Sequence, residues 1–162
     1  MNQQTKQLAT LFDELEIKYK ERDNDCLTIT IPTENYIDYE DGQKTLLVVA
    51  YVDLEEKFVR LYAPNIMNLR DSEHIDKVSQ LLLWMNYRKD LTRFELDLTD
   101  QEVRCSVTIP FGEEFVTPEL LQDNLNSLIR AIDNPWETIE EALKTGKLPD
   151  ALYEKRERFR KS

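Results

Sequence analysis

The sequence predicts an α+β domain built on an antiparallel sheet, and three observations carry that expectation. Strand-length segments with alternating apolar and polar residues follow one another across turns, as hairpin-linked strands do. The helical segments are grouped at the start, the middle and the end, so the βαβ alternation of a parallel sheet is missing. The chain has 162 residues, 41% of them hydrophobic and 33% charged, the length and mixture of one domain around one core.

Gln3 to Tyr19 opens the chain as an amphipathic helix, because Leu8, Leu11, Phe12 and Leu15 recur at three- and four-residue spacing on one face. Asp23-Asn24-Asp25 breaks that pattern. Cys26 to Pro32 then alternates as a half-buried strand, with Leu27, Ile29 and Ile31 on one side and Thr28 and Thr30 on the other. Thr33 to Gln43 reads as a solvated acidic loop that turns at Gly42. The next segment, Thr45 to Val52, is apolar at every position after the first, which predicts a strand covered on both faces. Asp53 to Glu56 is a turn. Lys57 to Ala63 returns as a strand ending at Pro64, with Val59 and Leu61 facing one way and Phe58, Arg60 and Tyr62 the other.

Ser72 is the expected N-cap of a helix reaching about Lys89, with Ile75, Val78, Leu82 and Met85 as its core stripe. An advance of about 100° per residue puts Trp84 roughly opposite that stripe, with Leu83 and Tyr87 to one side. A helix apolar on two sides predicts two partners. Thr92–Leu98 and Val103–Ile109 alternate as a hairpin around Asp100-Gln101, with Glu95, Asp97 and Arg104 placed to pair across the strands. Thr117-Pro118 opens a helix with the stripe Leu121, Leu125, Leu128 and Ile132. Asn134-Pro135-Trp136-Glu137 restarts the chain as a capped helix that buries Trp136, Ile139 and Leu143 and closes at Gly146. The order is α-β-β-β-α-β-β-α-α, with residues 1–146 as the domain and 147–162 as a basic, helical tail.

Charge narrows the partners. The chain carries −11, and the tail holds six basic against three acidic side chains, so the rest carries −14. Affinity for nucleic acid comes mainly from basic contacts that release counterions. A body this acidic argues against it, and Lys155 to Lys161 reads as a solvated tail that complements the body. No apolar run approaches the roughly 18 residues of a membrane span, and Met1 to Lys6 lacks a signal-peptide pattern. A cytoplasmic protein with no membrane partner is expected.

The search for chemistry turns up little. Three glycines, at 42, 112 and 146, cannot form a glycine-rich phosphate cradle or a G-x-S-x-G elbow. The single histidine, His74, reads as an exposed or capping residue, and Cys26 and Cys105 lie too far apart in sequence for a C-x-x-C motif and read as buried small hydrophobes. Asp38 to Gly42 lacks the calcium-loop pattern, and Glu113-Glu114 is an acidic turn. No catalytic residue, metal site or cofactor is expected.

Two stretches carry a resemblance. One is Leu81-Leu82-Leu83-Trp84-Met85-Asn86 followed by Phe94-Glu95-Leu96-Asp97; the other is Val103-Arg104-Cys105-Ser106-Val107 leading into Thr117-Pro118-Glu119-Leu120-Leu121. With the order of elements, they make the chain, over about residues 5–145, resemble the YbjN family, whose fold is similar to that of type III secretion chaperones. Gln101 stands where a glycine is expected in the second hairpin turn. The resemblance implies a non-enzymatic, often dimeric protein that holds a segment of another protein, and it brings no catalytic residues.

The expected function is therefore protein binding by a chaperone-like or adaptor homodimer. Gln80, Trp84 and Tyr87 are the expected dimer interface. Leu8, Leu11, Phe12 and Leu15, and the sheet face with Phe58 and Tyr62, are the candidate surfaces for a partner protein or peptide; the competing reading makes the four helix residues core. A small-ligand-binding regulatory module and an enzyme using paired carboxylates are the alternatives.

Overall fold

The computed structural model describes residues 1–154. Its elements are α1 (Gln3–Glu14), β1 (Lys20–Arg22), β2 (Cys26–Pro32), β3 (Thr45–Asp53), β4 (Phe58–Asn68), α2 (Ile75–Arg88), β5 (Thr92–Leu96), β6 (Glu102–Pro110), α3 (Pro118–Asp133) and α4 (Trp136–Thr145). The strands form one six-stranded sheet in the order β1-β2-β3-β4-β6-β5, with every neighbouring pair antiparallel. The fold is α+β, as the sequence predicts. Helices α1 and α3 pack on the sheet, while α2 packs against α4 and beside β5. Asn86 in α2 fixes that last contact: its side-chain amide donates to the Phe94 carbonyl at 2.9 Å and accepts from the Phe94 N–H at 2.7 Å. One side-chain amide thereby satisfies both backbone groups that an edge strand would leave open at that residue.

The core lies on one face of the sheet. Leu27 and Ile29 of β2, Leu46, Val48, Ala50 and Val52 of β3, and Val59 and Leu61 of β4 are all buried, and they meet Leu8 and Phe12 of α1 and Leu121, Leu125 and Leu128 of α3 in one cluster. Burying each Val, Leu, Ile or Phe among them contributes roughly 1.5–3 kcal/mol.

Local chemistry explains where the elements stop. Helix α1 ends five residues before Tyr19 because Glu16 takes the left-handed conformation at φ 56°. The Ile17 and Glu16 N–H groups then donate back to the Phe12 and Asp13 carbonyls, a Schellman closure. That frees Lys20–Arg22 to pair as β1, a strand absent from the sequence reading. Strand β4 continues past Pro64 to Asn68 through an irregularity between Ala63 and Met67, where a residue without an N–H is tolerated. Helix α2 starts at Ile75, and the Ser72 hydroxyl accepts from the His74 N–H instead of capping the helix. Asn134 stays helical and closes α3, so α4 has no side-chain cap at its start. Strand β5 ends at Leu96, because the Asp97 carboxylate turns the chain by accepting from the Thr99 N–H and hydroxyl. Thr117 caps α3 with Pro118 behind it, as expected. Gly146 closes α4 at φ 70°, and a Cβ there would also meet the His74 ring at 2.8 Å. His74 is thus half-buried against α4, neither exposed nor a side-chain cap.

Two expectations about coverage need correction. Among the described residues no helix covers the second face of β3: Leu47 is 40% exposed, Tyr51 is half-buried, and Val49 is shielded by its cross-strand neighbours Thr28 and Tyr62. The segment 33–43 is anchored where the sequence suggested solvent. Asp133, at the end of α3, accepts backbone N–H bonds from Glu34, Asn35 and Tyr36 at 3.1, 2.8 and 2.7 Å. The buried Tyr36 ring stacks edge-on against Trp136 at 4.6 Å, and its hydroxyl donates to the Ile66 carbonyl. Burial pushes the Asp133 carboxyl up, but the N–H bonds from Tyr36, Asn35 and Glu34 outweigh it and hold the group below its ordinary value.

Of the basic tail, the structure shows a single 3-10 turn at Asp150–Tyr153; the helical expectation for 155–162 lies outside the described residues.

Two candidate binding surfaces

Two regions leave chemistry exposed. The first is the outer side of α2. Its inner side, Val78, Leu81, Leu82 and Met85, is core, yet Leu83 is 68% and Tyr87 72% exposed, and Leu91 just beyond the helix is 59% exposed. An angular advance of about 100° per residue brings Gln80, Leu83 and Tyr87 onto one stripe. Of the three expected interface residues, Gln80 and Tyr87 are exposed, and Trp84 is half-buried, with the Arg88 guanidinium 4.9 Å above its ring. Leu83 and Leu91 complete this apolar patch; the sequence placed Leu83 beside Tyr87 on the second side of the helix without counting it in the interface, and Leu91, beyond the helix, gave no periodic signal.

The second region is the sheet face turned away from the core. Cross-strand partners share a face, so the register places Phe58, Arg60 and Tyr62 of β4 with Tyr51 of β3 and Arg104 and Ser106 of β6. Tyr51 is the hub of an aromatic strip, edge-on to Phe58 at 6.3 Å and to Tyr62 at 6.2 Å. Beside it, Glu95 of β5 binds two guanidiniums: Arg60 Nη2 donates to Oε1 at 2.6 Å and Arg104 Nε to Oε2 at 2.7 Å. The expected Glu95–Arg104 pair is thus joined by a third residue. Arg60 Nη2 also donates to the Ser106 hydroxyl, and Arg104 lies 5.7 Å from the Tyr62 ring centre. Partial burial lifts the Glu95 carboxyl, but the bond from Arg104 and the charge of Arg60 outweigh it, leaving the group below its usual range.

The register also makes this face cationic. Lys20, Arg22, Arg60, Arg93 and Arg104 occupy it against Asp53, Glu95 and Glu102, a surplus of two positive charges on a chain of net −11. Cys26 also lies there, half-buried opposite Tyr51, while Cys105 is buried in the core with its thiol pushed up to about 12 by burial, far from a reactive thiolate.

The α1 stripe is a different matter. Leu8 and Phe12 are wholly buried and Leu11 nearly so; only Leu15 is half-exposed. Leu8, Leu11 and Phe12 thus sit in the core, where the competing reading put them, and α1 turns its apolar side onto β2 and β3. A depression lined by Thr92, Ser127 and Arg130 is open to solvent. Among the described residues no three His, Cys, Asp or Glu side chains converge as a metal site requires, and no helix is long and apolar enough to cross a membrane.

No protein-family model matches the sequence, and no curated protein matches it. Among solved structures, the crystal structure of YbjN from E. coli, described as a candidate transcription regulator, superposes with a TM-score of 0.62 at 16% identity, covering 85% of this chain and 89% of that one. The chain has a YbjN-like fold. The likeness covers most of both proteins, and at this identity it speaks to fold alone.

Proposed function

We propose that this YbjN-like chain is a non-enzymatic adaptor that acts through protein contact as a homodimer, with the outer side of α2 as its two-fold interface. One observation carries the reading: Leu83, Tyr87 and Leu91 remain exposed around the half-buried Trp84, on a helix whose other side is already core. Apolar area removed from water contributes about 25 cal/mol per Å², so a clustered patch of this kind favours a protein partner. A two-fold axis across α2 sets each patch against its own copy, with Gln80 at the same surface. E. coli YbjN is described as a candidate regulator, and regulation through protein contact belongs to the same class of activity.

Light scattering at micromolar concentration tests the interface. The wild type is expected to run at twice the chain mass, and Leu83→Glu at the monomer mass with its circular dichroism unchanged, because the side chain replaced is exposed. Trp84→Ala weakens the dimer as well. A monomeric wild type overturns the dimer; a pull-down that retains no stoichiometric partner overturns the adaptor.

A further inference from the structure

We propose that the open sheet face binds an acidic, extended peptide segment of a partner protein, seating its carboxylates at Arg60 and Arg104 and its apolar side chains on the strip of Tyr51, Phe58 and Tyr62. This deepens the adaptor reading and rests on it. The face carries a positive surplus within an acidic chain, and the two guanidiniums share Glu95 as their one close carboxylate, with Glu102 acting on Arg104 only through space. Arginine presents several donors in a planar fork, so Arg60 and Arg104 can each engage a second carboxylate while keeping Glu95. Beside them the aromatic strip is half-buried and rigid, held edge-on within itself and, through Tyr62, under Arg104. Strand residues of an extended segment alternate, so one face of such a peptide brings carboxylates or apolar groups at a spacing of roughly 7 Å.

Charge also disfavours the other occupants. The chain's own segment 155–161 is basic and would meet like charge. A second copy related by a two-fold axis would set one cationic face on another. A polyanion such as single-stranded nucleic acid fits the rings, but it extends beyond the face onto acidic surface. Screening over about 8 Å does not hide that surface from a polymer in contact with it. A short segment with a few carboxylates meets only the cationic part.

The test is selection of random twelve-residue peptides displayed on phage against the immobilised full-length protein. Synthesised consensus peptides and the oligonucleotide dT12 are then titrated by fluorescence anisotropy. The expected result is a consensus rich in Asp and Glu interleaved with aromatic or aliphatic residues. Its affinity should fall at least tenfold in Arg60→Gln/Arg104→Gln and in Thr108→Glu, an exposed position paired with Arg60. The Thr108 variant keeps Arg60, Arg104 and Glu95 and changes only an exposed side chain, so it answers the question should the double variant melt. A neutral or basic consensus, no selected peptide, or affinity unchanged in Thr108→Glu overturns the proposal. Tighter binding of dT12 than of the consensus replaces it with a nucleic-acid face, and a change in oligomeric mass on Thr108→Glu replaces it with a face between copies. Leu83→Glu separates the two readings: a monomer that still takes the acidic peptide keeps this inference whether or not the α2 dimer stands.

Discussion

Two carboxylates, Asp133 and Glu95, organise opposite sides of the molecule, and both sit below their ordinary protonation range. Asp133 is buried and accepts from three backbone N–H groups of a distant loop. Glu95 is about a third exposed and accepts from two side-chain guanidiniums. The difference is one of replaceability. Backbone donors fixed in a buried turn have no other acceptor to use, so Asp133 locks segment 33–43 to the end of α3. Guanidiniums at a wet surface can trade acceptors at little cost, so Glu95 holds Arg60 and Arg104 in place without saturating them.

The comparison breaks first at Asp133. Replacing it with alanine orphans three N–H groups, and at about 1 kcal/mol or more for each the loss is on the order of 3 kcal/mol in urea unfolding followed by tryptophan fluorescence. Its pH dependence follows from the sign of the shift. The folded carboxyl binds its proton less readily than the unfolded one, whose value is about 3.9. The stabilisation is therefore complete well above pH 4 and is lost as the pH falls through the unfolded value toward the folded one. Melting temperatures of the wild type should drop over that window, and Asp133→Asn should flatten the drop.

A smaller effect is expected at Glu95. Ion pairs exposed to this degree contribute about 1 kcal/mol or less, so Glu95→Gln should shift the urea midpoint slightly. Loss of 2 kcal/mol or more there would erase the contrast between the two carboxylates. The smallest change lies in the neighbouring hairpin, where Gln101 adopts φ 61°. Gln101→Gly relieves the left-handed strain at some entropic cost, and a gain of up to about 1 kcal/mol is expected in the same assay.

Much of the fold could be read from neighbours in sequence. The alternation in Cys26–Pro32 and Val103–Ile109, the Thr117-Pro118 start of α3 and the Gly146 stop of α4 depend on residues a few positions apart, and periodicity or capping chemistry reports them directly. Asp133 was invisible because its partners lie almost a hundred residues upstream, and a carboxylate ending a helix looks like a solvated charge. β1 was hidden by its three-residue length, too short for a period to register. For the candidate surfaces, the facing of Phe58, Arg60 and Tyr62 followed from alternation within one strand. The cationic surplus did not, because its charges come from four strands, and only the register of the sheet brings them together.

The amide of Asn86, clasping Phe94, has a consequence for how the molecule behaves in a crowd. A sheet polymerises when a bare margin offers its main chain to another copy. Here one margin is occupied by that side chain, and the other is a three-residue strand bearing Lys20, Glu21 and Arg22. Each device shortens the main chain left open at its margin. Less backbone is then offered for edge-to-edge growth beside a broad wet sheet surface, and what that surface offers a visitor is chiefly side chains instead of the backbone that all proteins share.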